Sequence, residues 1–98
     1  MSIRILLEVH LRDASEASYR GVQDTLDVTL TRPGAISMDT IVDDGDPSRI
    51  VVIETWESKA DHDAYEAWRA SDEGAATALV AVLAEAPVTR TFTPLARL

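Results

Sequence analysis

The chain contains no cysteine and no asparagine, and it has a single lysine and a single phenylalanine. Without Cys there can be no disulfide, thiolate metal site, iron–sulfur cluster or Cys nucleophile. Lys59 is the lone lysine, and the remaining basic residues are scattered arginines. With a net charge of −8 and no basic cluster, a nucleic-acid partner is not expected, because phosphate binding needs grouped Lys and Arg. No apolar run approaches the ~20 residues that span a bilayer, so no membrane association is expected. The opening MSIRILLEVHLR alternates and carries Glu8, unlike the apolar region of a signal peptide; a cytoplasmic location is the expectation. The two histidines fall in no ligand spacing such as His-x-x-x-His. Asp43, Asp44 and Asp46 lack the ligand series of a calcium loop and read as an acidic turn. Neither a metal nor another cofactor is expected.

What is present is a globular composition, 46% hydrophobic and 27% charged over 98 residues, which fits one domain spanning 1–98. Ile3, Ile5, Leu7, Val9 and Leu11 alternate with Arg4, Leu6, Glu8 and His10, a half-buried strand. Asp13-Ala-Ser-Glu16 starts a helix through Tyr19, Val22, Leu26 and Val28 or Leu30. A turn at Arg32-Pro-Gly34 leads to a strand over 35–43. Asp44-Gly-Asp-Pro47 then turns the chain into a third strand over 49–57. Ser58 caps a helix whose inner side is expected at Ala60, Ala64, Ala67, Trp68 and Ser71. A further helix over 75–86 is stopped by Pro87, and a last strand covers 88–93. The order β-α-β-β-α(α)-β predicts an α+β, ferredoxin-like split β-α-β fold, with a four-stranded antiparallel sheet and helices on one face.

That layout leaves the other sheet face bare. On the third strand Val51, Ile53 and Thr55 share one parity and read as the core face. Ile50, Val52, Glu54 and Trp56 share the other, and a carboxylate on an apolar face needs a partner or a wet cavity. The expectation is therefore that Leu6, Ile50 or Val52, Trp56 and Phe92 form an exposed apolar face. Two copies would cover it by pairing sheet to sheet, with Glu54 and Trp56 looking into an intersheet cavity of a homodimer.

The residues Glu54-Thr-Trp56-Glu57-Ser58-Lys-Ala-Asp-His62, followed by Tyr65 and Trp68, resemble the antibiotic biosynthesis monooxygenase family over essentially the whole chain. The resemblance implies a dimeric α+β barrel that oxygenates phenolic or quinol-type small molecules without metal or flavin. Family members that oxidise aromatic polyketides resemble this chain at the strand-end Trp. They carry an Asn where Val52 stands here and a Tyr where His62 stands. A haem-degrading branch is similar at Trp68-Arg-Ala-Ser-Asp72, but its His position falls on Ala78 and its first-strand Asn is absent, so haem is not an expected ligand.

Oxygenation of that kind asks the protein to remove a proton, stabilise the anion and hold oxygen and substrate together in a dry site. The candidate base is His10 or His62, with Trp56 as a flat wall carrying an N–H donor. Candidate substrate contacts are Arg4 and Arg90, either of which can meet an anion, together with Glu54 and Phe92. The same residues admit plain roles: Glu54 as an ion-pair partner of Arg4 or Arg90, Tyr65 and Trp68 as packing, His62 as a solvated helix-start residue. The alternative function is a non-catalytic barrel that binds a small aromatic or hydrophobic molecule or serves as an accessory protein; an isomerase using His10 or His62 is a third.

Overall fold

The computed structural model describes residues 2–97. Strand β1 (Ile3–His10) is followed by helix α1 (Glu16–Thr29), strands β2 (Ala35–Asp43) and β3 (Asp46–Trp56), helix α2 (Lys59–Arg69), a single turn of helix α3 (Thr77–Val80) and strand β4 (Val88–Phe92). The strands make one antiparallel sheet in the order β2-β3-β1-β4, the expected ferredoxin-like α+β arrangement. Both long helices start where local chemistry places them. Ser15 caps α1 by accepting the Ser18 N–H, and Ser58 caps α2 by accepting the Asp61 N–H. Gly34, with φ at 84°, turns the chain into β2.

On β3 the faces are the reverse of the sequence expectation, while β1 and β4 lie as expected, with Leu6 and Phe92 on the open face. Ile50, Val52, Glu54 and Trp56 are the buried parity of β3, beneath the helices, together with Ile3, Ile5 and Val9 of β1. Val51, Ile53 and Thr55 look out on the open face, beside Leu6, Phe92 and Ile41. Both parities of β3 are rich in β-branched residues, so apolarity alone does not choose between them. A strand whose two faces are both apolar is under-determined by pattern. The polar signal misled because Glu54 has its partner two residues along the same strand face.

Two further differences come from tertiary contacts. The helix expected over 75–86 stops after one turn. Beyond it the backbone pairs with the end of β1 instead: Arg12 N–H donates to the Val82 carbonyl at 2.9 Å, Ala84 N–H donates to the His10 carbonyl at 2.8 Å, and Leu83 bridges Leu11. In α2 the alanine stripe 60, 64, 67 is exposed, and His62, Tyr65 and Arg69 face the sheet and α1. The two stripes lie on opposite sides of the helix, and the one with larger side chains covers more apolar surface. In α1, Thr25 and Thr29 are buried where Val28 and Leu30 were expected, each hydroxyl donating to the carbonyl four residues back.

Candidate active site

The end of β3, the inner face of α2 and the end of α1 bring a chain of polar aromatic contacts together under the helices. Trp56 is wholly buried, packed against Ile3, Ile5, Ala35, Met38 and Tyr65. Its indole N–H donates to Glu54 Oε1 at 2.8 Å. The alternation that sends side chains i and i+2 to one face makes this pairing possible within a single strand. His62 stands edge-on to the Trp56 ring, centroids 5.2 Å apart, and Tyr65 lies tilted against the same ring at 5.0 Å. The Tyr65 hydroxyl meets Thr29 Oγ1 at 2.9 Å and accepts from Arg69 Nε at 2.8 Å. Arg69 also donates to Thr29 Oγ1 and to the carbonyls of Thr25 and Gly74. Trp68 completes the chain, with the Arg32 guanidinium 4.0 Å and the Arg69 guanidinium 4.9 Å from its ring centroid.

Two titratable groups flank the buried indole, and both are driven toward neutrality. Burial raises Glu54, an effect opposed by the Trp56 hydrogen bond, reinforced by the charge of Glu66 and opposed again by Arg69. Burial lowers His62, with Glu66 and Asp63 pulling the other way; Glu66 Oε1 lies 3.4 Å from His62 Nε2. A carboxyl shifted upward and an imidazole shifted downward in contact with one ring are the kind of titratable pair from which acid and base roles are built.

The Glu54 shift has a measurable consequence. Its folded value lies above the ordinary 4.5, so the unfolded chain loses the proton first, and stability falls as pH rises from about 4.5 through the folded value. Glu54→Gln keeps an acceptor for the indole N–H and removes the titration. The variant should match the parent in thermal melts below pH 4.5 and exceed it at pH 7 by about 1–2 kcal/mol. A constant difference at all pH values would show that Glu54 is not the group responsible. His62 acts in the opposite sense: its folded value lies below 6.5, so the stability it contributes is complete above 6.5 and is lost as pH falls through the folded value.

The structure divides the candidate residues between the two sides of the sheet. Trp56, Glu54 and His62 come together under the helices, where His62 is 6% exposed rather than solvated. Arg4, Arg90 and Phe92 lie on the open face, Arg4 opposite Phe92 and the Arg90 guanidinium 5.3 Å from the Phe92 ring centroid. His10 points to that face too, at the end of β1, with Nδ1 3.2 Å from Glu85 Oε1. It borders a cleft of about 190 Å³ with Glu8, Asp43, Arg49 and Val88. Glu54 therefore pairs with neither Arg4 nor Arg90, and Glu54 and Trp56 do not look into an intersheet space. Among the described residues no group of His, Asp and Glu is arranged to hold a metal ion.

Tyr65, Arg69 and Thr29 also belong to this cluster, Tyr65 packing on Trp56 and all three joined by hydrogen bonds. Their signal was present as the spacing 62, 65, 69, one helical stripe, but its residue types are polar and the alanine stripe resembled an apolar face more closely.

The family model for antibiotic biosynthesis monooxygenases matches residues 3–79. The chain belongs to the antibiotic biosynthesis monooxygenase family. The match takes in β1 through α2, and so every member of the Trp56 cluster. Solved structures share the family's fold at low identity. SnoaB, a cofactor-independent oxygenase from Streptomyces nogalater, is 20% identical with a TM-score of 0.77, covering 99% of this chain and 96% of that one. Rv0793 from Mycobacterium tuberculosis is 18% identical with a TM-score of 0.75, covering 99% and 98%. A conserved protein from Methanosarcina mazei is 15% identical with a TM-score of 0.74, covering 94% and 91%. No functionally curated protein matches the chain by sequence.

Proposed function

We propose that the chain, as one domain over 1–98, is a cytoplasmic, homodimeric, cofactor-independent monooxygenase that oxidises a phenolic or quinol-type small molecule with O2. Family membership supports the reaction class, and the likeness to SnoaB, whose description names a cofactor-independent oxygenase, supports the absence of a cofactor. The observation that carries the assignment to a site is the contact of the buried Trp56 with both Glu54, through the indole N–H, and His62, edge-on to the ring; burial raises the pKa of the first and lowers that of the second.

In this reading His62 takes the phenolic proton. The resulting anion gives one electron to O2, and the radical and superoxide combine into a peroxide at the ring CH carbon para to the phenolate oxygen. Loss of water then leaves a carbonyl. The phenolic O–H, that ring C–H and O2 become a quinone and H2O, so the substrate supplies every electron and no outside reductant is needed. Glu54, whose burial favours the protonated form, would return a proton as water leaves. Val52 and His62 occupy the positions where polyketide-oxidising members resemble one another in carrying Asn and Tyr, so the base here is an imidazole.

The homodimer rests on the open face. Leu6, Ile41, Ile53, Val88 and Phe92 line it, and Phe92 is 41% exposed. A second copy laid sheet to sheet would cover this surface, with Arg4, Arg90 and His10 at the seam. Light scattering at micromolar concentration should give twice the 10.7 kDa of the chain; a monomer would refute the pairing.

One observation favours the non-catalytic alternative, a barrel that only binds a small aromatic or hydrophobic molecule: the Trp56 cluster is closely packed, and its indole N–H is already engaged by Glu54. Oxygen consumption separates the two. Metal-free protein supplied with dihydroxynaphthalenes and anthrols should consume O2, and His62→Ala should lower the rate about 100-fold or more, the usual scale of general base catalysis. Ligand binding without uptake would leave the alternative standing.

A further inference from the structure

A second cavity lies on the helix side of the sheet, a cleft of about 160 Å³ lined by Tyr19, Val22 and Gln23 of α1, Thr40 and Val42 of β2 and Ile50 of β3. It is smaller than the ~300–1,000 Å³ of sites that enclose a small organic molecule. Two side chains of the helix-side sheet face separate this cleft from the Glu54–Trp56 pair: Val52 of β3, fully buried between Ile50 and Glu54, and Met38 of β2. Met38 is the next residue on the same face of β2 after Val42 and Thr40, and it stands directly opposite Glu54 in the β2–β3 register. The irregularity between Ala35 and Ser37 is what brings both Ala35 and Met38 to the helix side. Met38 is half-buried and packs against both apolar clusters, the one beneath α1 and the one around Trp56. Among the described residues it is the only partly buried side chain packed against both.

We propose that Met38 is the specificity-determining gate between the α1–β2 cleft and the Glu54–Trp56 pair, swinging aside to admit a flat, hydroxylated aromatic molecule of one or two rings. The proposal rests on the reading of the Trp56 cluster as the active site. Three features support it. The cleft by itself is too small to enclose a two-ring ligand, so occupancy requires a neighbouring side chain to move. Thioethers are the side chains best suited to that movement, being unbranched with three rotatable bonds and tolerant of aromatic neighbours. β2 is the edge strand of the sheet, and on its helix side only Ala35 and Met38 are even partly covered, so a ligand entering from that edge meets Met38 before the buried residues of β3.

Calorimetric titration with 2-naphthol, alongside NMR of the Trp56 indole N–H, tests the gate; Trp68→Phe distinguishes the two indole signals. The parent protein should bind 2-naphthol and shift the Trp56 resonance. Met38→Ala, which leaves the passage open, should bind about 10-fold more tightly. Met38→Leu preserves volume and the fold but stiffens the side chain, and it should bind about 10-fold more weakly. Affinities within 2-fold across the three proteins, no binding by any of them, or binding that leaves the Trp56 resonance unmoved would overturn the gate. Its failure is separable from that of the oxygenase reading: graded 2-naphthol affinity without O2 consumption would keep the gate and remove the enzyme.

Discussion

Trp56→Ala should destabilise the protein by about 3–5 kcal/mol, the usual cost of truncating a large buried aromatic. Trp56 has no solvent exposure and supplies the surface against which Ile3, Ile5, Tyr65 and His62 pack. Its removal leaves a cavity, and it also strips Glu54 of the N–H that its carboxyl accepts. An unsatisfied buried carboxyl adds its own penalty. Trp56→Phe separates the two contributions, because it retains most of the ring volume and loses only the donor. It should cost less than half as much as the alanine variant, and the double variant Trp56→Phe with Glu54→Leu should recover part of that loss. Chemical denaturation of the four proteins makes the comparison. Equal destabilisation by Trp56→Phe and Trp56→Ala would mean that the hydrogen bond, not the packing, holds this end of the core.

Arg69→Met should cost about 3 kcal/mol, on the scale of hydrogen bonds to charged groups. The guanidinium joins three segments that otherwise touch little: the carbonyl of Thr25 and the hydroxyl of Thr29 in α1, the hydroxyl of Tyr65 in α2 and the carbonyl of Gly74 beyond α2. Methionine keeps the apolar stem but leaves these acceptors without a donor. Because Tyr65 packs on Trp56, the loss should also loosen the indole environment, read as a shift of the Trp56 fluorescence toward longer wavelength. Arg69→Lys should restore little, since an ammonium cannot present the fork of N–H groups that reaches all four acceptors. Full recovery by lysine would show that charge alone is what the position requires.

The element order and most boundaries were legible in the chain. Alternation in β1, the Ser15 and Ser58 caps and the Gly34 and Asp44-Gly45 turns are local signals with local causes, and the structure agrees with them. The same local reasoning overran at 75–86, where hydrogen bonds from β1 and Arg12 outcompete helix continuation. It also chose the alanine stripe of α2 over the His62–Tyr65–Arg69 stripe, because amphipathic pattern counts residue type and not the area each side chain buries.

The sequence by itself determined the fold class, the family and the importance of the segment from Arg49 to Trp68. Only the tertiary structure decided which way that segment faces. Alternation divides a strand into two sets, but it does not say which set meets the helices when both are apolar; that depends on where α1 and α2 come to rest. Their placement buries Glu54 and Trp56 together with His62 and leaves Arg4, Arg90, Phe92 and His10 on the opposite side of the sheet. Residues that seemed to belong to one cavity are thereby separated by the thickness of the sheet, and a carboxyl that seemed to need solvent or an arginine is satisfied by the indole beside it.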